Sequence, residues 1–188
     1  HITDDPEKII TADALVLPGV GSFADASRTM SETGQMDAVR KAIGAGKPFL
    51  GICLGQHLLF TGGTEHAGNA GTMPGLGLIE GIAQKMPSQD ATGKTYKIPH
   101  VGWNSIEFDP DASQLFKGIP QGEHFYFTHS YIAPESDATI ATTTHSVTFP
   151  SAVQVTDRVF GVQFHPEKSS DAGARVLKNF VDLVHALA

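Results

Sequence analysis

Three side chains are of types and spacings that could do covalent chemistry: Cys53, His165 and Glu167. Cys53 is the chain's one cysteine. It stands in Phe49-Leu50-Gly51-Ile52-Cys53-Leu54-Gly55, with glycine two residues before it and two after. A lone cysteine is most often a small buried hydrophobe, and the glycine spacing sets this one apart. It is the pattern of a nucleophile elbow, a strand-to-helix turn that holds a reactive side chain on a strained backbone. Neighbours with almost no side chain let such a turn close. The N–H groups at the start of the following helix would favour thiolate over thiol and could steady an oxyanion.

The second group lies in Gly161-Val162-Gln163-Phe164-His165-Pro166-Glu167. A strand delivers His165 at its end, and Pro166 keeps that residue extended. In extended chain, residues i and i+2 point the same way, so His165 and Glu167 can project together. The glutamate would hold one ring nitrogen and fix the tautomer, leaving the other free to act as a base toward sulfur. The plainer alternative is a strand-end histidine followed by an acidic residue near the last helix. The residues alone leave both open.

The elements that must position these groups follow from apolar patterning. Residues 14–18 and 48–52 are continuous apolar runs and read as buried parallel strands. Helices are expected over 24–30 and 35–45, with Met36, Val39 and Ile43 on one face, and again over 54–60. Strand, helix, strand, helix implies an α/β fold with a parallel sheet. Residues 62–81 are glycine-rich and read as a surface loop. From Lys94 onward short strands alternate, over 98–108, 124–132, 139–143, 152–156 and 159–164, with Arg158 at a hairpin turn. A final helix over 170–187 carries Val176, Phe180, Val184 and Leu187 as a stripe, with Ser169 or Ser170 as its N-cap.

The 188 residues fit one domain, 1–188. A net charge of −7 argues against nucleic acid or an anionic membrane surface as partner. A single cysteine excludes an internal disulfide and suits a reducing cytoplasm. There is no signal peptide and no apolar run long enough to span a bilayer. The histidines at 1, 66, 124, 145 and 185 show no functional spacing and read as surface.

The segments GICLG and FHPE, in that order, resemble the class I (triad) glutamine amidotransferases. Pro18-Gly19-Val20-Gly21-Ser22-Phe23, Pro74 through Ile79, Pro99-His100-Val101-Gly102-Trp103-Asn104, Tyr126-Phe127-Thr128-His129-Ser130-Tyr131 and the run from Gly161 to Ser169 narrow the resemblance. They are similar to the glutaminase subunits of imidazole glycerol phosphate synthase, from histidine biosynthesis. The fold implied has three layers, with a mixed, mostly parallel central sheet flanked by helices. The resemblance implies that Cys53 attacks glutamine and forms a γ-glutamyl thioester. His165 would shuttle the proton and Glu167 would orient it. The N–H of Leu54 and the loop Gly19, Val20, Gly21 would form an oxyanion hole, with a peptide flip as the on-switch. Thr128, His129, Ser130 and Tyr131 would hold glutamine. Trp103, Tyr126 and Lys168 would face the partner, a (β/α)8 cyclase subunit that receives the ammonia. No metal or organic cofactor is implied.

Two departures bear on this. The family usually has glutamine four residues after the cysteine, where this chain has His57. Position i+4 shares the helix face of Cys53, so His57 should line the pocket and bind glutamine more weakly than an amide would. Cys53 and His57 as a metal pair would lack further ligands. Family members also begin with a strand and helix before the residues matching His1, which implies that a segment precedes this sequence. Rival readings are the glutaminase of another synthase and a degenerate module that only docks.

Overall fold

In a computed structural model, residues 1–19 and 21–187 are described. In chain order the elements are α1 (Pro6–Thr11), β1 (Leu15–Leu17), α2 (Phe23–Glu32), α3 (Gln35–Gly44), β2 (Phe49–Ile52) and α4 (Leu54–His57). β3 (Phe60–Gly63), β4 (Met73–Pro74), β5 (Ile79–Lys85), β6 (His100–Ser105) and β7 (Glu107–Phe108) follow. The chain continues through β8 (His124–His129), β9 (Tyr131–Ile132), β10 (Thr139–Thr144), β11 (Thr148–Thr156), β12 (Val159–Val162) and α5 (Ser170–Ala186).

The main sheet runs β1-β2-β12-β11-β10-β7 and is mixed, with helices on both faces. Parallel pairing is confined to β1, β2 and β12; the other pairs are antiparallel. Alternation along the strands divides the core in two. Leu50 and Ile52 of β2 and Phe160 and Val162 of β12 face one cluster, closed by Val176 and Phe180 of α5. Phe49 and Val159 face the other, with Met30 of α2 and Met36 and Val39 of α3. The two strands that carry the site are thus buried on both faces, as a continuous apolar run demands.

Several expectations need correction. Residues 54–60 are not one helix: α4 is a single turn, and Phe60 opens β3. Nor are residues 62–81 simply a surface loop, since β3 pairs with β4 and β5. Gly62 and Gly63 are strand residues that leave room for neighbours. A Cβ on Gly63 would lie 2.5 Å from the Phe23 ring, which sequence alone reads as turn composition. β1 is an edge strand rather than a buried one, with Val16 50% exposed. It borders a cleft of about 990 Å³ whose walls include Ile2, Ile9 and Met30. The expected strand over 98–108 breaks into β6 and β7, between which Ile106 is buried. Leu187 falls off the buried stripe of α5 and is exposed. Ser169 does not cap α5 with its side chain. Its hydroxyl accepts from Tyr126 N at 2.9 Å and donates to His165 O at 2.6 Å. Helix α1, outside the periodic segments, starts on Asp5, whose carboxylate accepts from Glu7 N, with Pro6 following.

Candidate active site

Cys53 follows β2, one residue past the last strand position, at φ 55° and ψ −107°. That left-handed backbone is the strain an elbow requires. Its own N–H still donates to Val162 O at 2.8 Å, so the pairing with β12 runs up to the turn. The turn closes because glycine flanks it. A Cβ on Gly51 would lie 2.3 Å from Gly55 O, and one on Gly55 would lie 2.0 Å from Leu17 O. α4 therefore sits directly on the strand ends.

His165 comes three residues beyond β12, on extended backbone at φ −99° and ψ 96°. Its Nδ1 lies 2.6 Å from Glu167 Oε1. A carboxylate only accepts, so the ring proton sits on Nδ1 and Nε2 keeps its lone pair. The ring is buried, while the Glu167 side chain is 49% exposed. His165 N donates to Tyr126 O at 2.9 Å, and the Ser169 hydroxyl holds His165 O. The base is thus tied to β8 as well as to its own carboxylate.

A cavity of about 250 Å³ joins these parts, small for a ligand site. Gly19 and Gly21 of the loop after β1, Cys53, Leu54 and His57 of the elbow, Thr128 and His129 at the end of β8, and Ser130 and Tyr131 after it all line it, with His165 and Lys168. Gly21 has φ 103°, and the Gly19 backbone presses on Leu54, whose Cβ would be 2.4 Å from a Cβ there. Val20 lies outside the described residues. Trp103 and Tyr126 stand beyond the rim, directly paired across β6 and β8, with ring centroids 6.1 Å apart.

The electrostatics depart from expectation. Burial pushes the Cys53 thiol up to about 11, with Glu65 and Glu167 adding to the rise. Hydrogen bonds from Leu54 N–H and Gln163 oppose it without winning. A four-residue helix supplies little dipole, so the resting group is a thiol, not a thiolate. Beyond Leu54 N–H, its hydrogen-bond partners among the described residues are Thr128 O at 4.0 Å and Gln163 Nε2 at 3.6 Å. His165 is not one of them, as is common before substrate tightens a site.

His57 lines the cavity, but its Nε2 meets Gln163 Oε1 at 2.7 Å. Burial pushes it down to about 4, so the ring is neutral. His129 is also neutral, pushed down to about 3 by burial. Its Nδ1–H donates to Tyr131 O at 2.9 Å, and its Nε2 accepts from His100 Nδ1 at 2.9 Å. Asn104 Nδ2 in turn donates to His100 Nε2 at 3.2 Å. This chain of bonds braces the wall that carries residues 128–131. His145, read as surface, is half-buried and stacks on His100 at 4.3 Å between centroids.

Sequence reasoning missed Gln163, Glu65 and His100. Gln163 had a signal, since it shares the i, i+2 alternation that aligns His165. Glu65 had none: its Oε2 accepts from Phe23 N at 3.1 Å, a contact across 42 positions. Among the described residues no group of three or more His, Cys, Asp or Glu could hold a metal, and no helix is long and apolar enough to cross a membrane.

Residues 1–184 match the family model described as glutamine amidotransferase class-I. The chain belongs to that family. Among curated relatives, the protein from Moorella thermoacetica named imidazole glycerol phosphate synthase subunit HisH is 44% identical, over 98% of this chain and 83% of its own length. A Caldanaerobacter subterraneus protein of the same name is 43% identical, over 99% of this chain and 87% of its own. Solved structures share the amidotransferase fold at lower identity. One described as a glutamine amidotransferase superposes with a TM-score of 0.68 at 21% identity, covering 97% of this chain and 85% of that one. The glutaminase domain of Trypanosoma brucei CTPS, with bound acivicin, gives 0.64 at 15%, over 96% of this chain and 74% of that one.

Proposed function

We propose that this chain is the glutaminase subunit of an imidazole glycerol phosphate synthase, acting in the cytoplasm as one domain. What carries the reading is the convergence on one cavity of an elbow thiol and a carboxylate-held imidazole, in a family of amidotransferases. Cys53 Sγ attacks the glutamine carboxamide carbon while the thiol proton passes to His165 Nε2. The tetrahedral oxyanion is met by Leu54 N–H and the Gly19–Gly21 loop. His165 returns the proton to the leaving nitrogen, the C–N bond breaks, and ammonia leaves a γ-glutamyl thioester on Cys53. Water, deprotonated by His165, then cleaves the thioester to glutamate and free thiol. Glu167 holds the imidazolium formed in each half. No step needs a metal or cofactor.

A thiol held as high as about 11 is a poor nucleophile unless its proton is removed during attack. That supports a site which is slow alone and is switched on by its partner. The partner is a (β/α)8 cyclase that takes up the ammonia to form imidazole glycerol phosphate and AICAR. Trp103, Tyr126 and Lys168 face it. The wall residues Thr128 to Tyr131 hold the substrate's amino-acid end, and His57 contacts glutamine beside Cys53. The test is glutamine hydrolysis by the chain alone and with the cyclase and its nucleotide substrate. Near-silence alone and strong turnover in the complex is the expected result. Equal rates in both would assign it to another synthase or to none, and no hydrolysis in either, with Cys53 inert to an electrophilic glutamine analogue, would leave a docking module.

A further inference from the structure

Gln163 is fully buried and comes two residues before His165 on the same side of the chain, while Phe164 between them turns the other way to pack on Phe125, 4.2 Å between ring centroids. Its amide bridges two groups of the elbow. Oε1 lies 2.7 Å from His57 Nε2, and Nε2 lies 3.6 Å from Cys53 Sγ. An amide oxygen only accepts, so His57 carries its proton on Nε2. In this arrangement the amide turns its oxygen to the histidine and its N–H₂ to the sulfur. Turned over, it would set an acceptor against the sulfur, which favours thiol over thiolate.

The geometry points to Gln163 as a catalytic residue that donates a hydrogen bond to the Cys53 sulfur as negative charge builds on it, with His57 as the positioning residue that aims the amide. This rests on reading Cys53 as the nucleophile, and it gives the place of His57 a reason apart from substrate contact. Both side chains are buried and neutral, so the donor reaches the sulfur without adding a full charge to the cavity. Glu65, from the segment after β3, and Glu167 also act on the sulfur by charge, while Lys168, His165 and His129 line the same cavity. None of them changes in the variants below.

The experiment reads the sulfur without glutamine, by thiol–disulfide exchange of the single cysteine with a small neutral disulfide, 4,4′-dithiodipyridine, at pH 8. A hydrogen bond to a charged group corresponds to about one pK unit, a tenfold loss of thiolate when it is removed. Higher intrinsic nucleophilicity of the more basic thiolate returns part of that. Gln163→Leu should therefore slow exchange about threefold, and Gln163→Glu, which sets a carboxylate beside the sulfur, should slow it more. His57→Phe should match Gln163→Leu, while His57→Gln, which keeps an N–H donor, should restore most of the rate. The double variant His57→Phe/Gln163→Leu should be no slower than Gln163→Leu alone. If Gln163→Leu does not fold, Gln163→Met, close in size, replaces it. Unchanged exchange in a folded Gln163 variant, or additive losses in the double variant, overturns the proposal. No glutamine hydrolysis by the unsubstituted chain with its cyclase, with these exchange effects intact, would instead count against the proposed function.

Discussion

The two arms of the site are held in different ways. Cys53 is fixed by backbone: a positive φ, a strand pairing that runs into the turn, and glycines that let α4 sit on the strand ends. His165 stands on ordinary extended backbone and is fixed by side chains, Glu167 on the ring and Ser169 on the carbonyl. The first arm has no adjustable part, and damage to it is damage to the fold. The second can lose a partner and stay in place, so damage to it should appear in rate before stability.

Glu167→Gln is the sharpest break in that contrast. It keeps a hydrogen-bond acceptor for Nδ1 and removes the charge. Turnover in the complex should fall about 10²- to 10⁴-fold, with a melting temperature close to that of the parent chain. Gly55→Ala should do the reverse. Its Cβ would meet Leu17 O at 2.0 Å, a backbone contact that cannot relax by rotamer change. A loss of about 3 kcal/mol or more is expected, read from the urea midpoint.

Acid and alkali should also separate the two regions. His57, His100 and His129 are pushed down from 6.5 to about 4, about 4 and about 3, chiefly by burial. Below pH 6.5 the unfolded chain takes up protons that the folded chain refuses, so stability falls as pH drops toward 4. The slope should approach three protons per molecule, and His129→Gln should remove one of them. Cys53 behaves oppositely, being raised from 9.0 to about 11. Its contribution is whole below pH 9 and is lost as pH rises toward 11. Cys53 keeps some exposure through the cavity mouth, so the loss is about 1–2 kcal/mol. Cys53→Ala should abolish it, and a difference titration of the two chains checks this.

The smallest effect is at Ser169→Ala. Two hydrogen bonds tie β8 to the segment after β12, and losing them should cost about 1–2 kcal/mol. A modest fall in turnover should accompany it, through a looser His165. If this variant instead unfolds the chain, the base arm is as much a fold element as the elbow, and the contrast fails.

What could be read from sequence was local. The elbow rests on glycines within two residues of Cys53; the His165–Glu167 pair also forms, but through a 3-10 turn over Pro166–Lys168 rather than the extended chain that the i, i+2 reading assumed. Both are decided by the nearest backbone. Gly62 and Gly63 misled because their reason, the Phe23 ring and the backbone of β4, lies in distant segments. Ser169 looked like a helix cap because nothing nearby reveals that Tyr126 N, 43 positions away, claims its hydroxyl. The His57–Gln163 contact spans 106 positions, and no local pattern announces it. The thiol's resting state was misjudged for a related reason: burial is set by the whole fold, whereas a helix start is visible in a few residues.

The cross-strand pairing of Trp103 with Tyr126 has an optical consequence. Trp103 is the chain's one tryptophan and is 53% exposed, so the native chain carries a built-in reporter in the light it emits. Its fluorescence should be red and quenchable by iodide while that face is bare. Any body that settles over β6 and β8 should turn it blue and shield it, without a label being added.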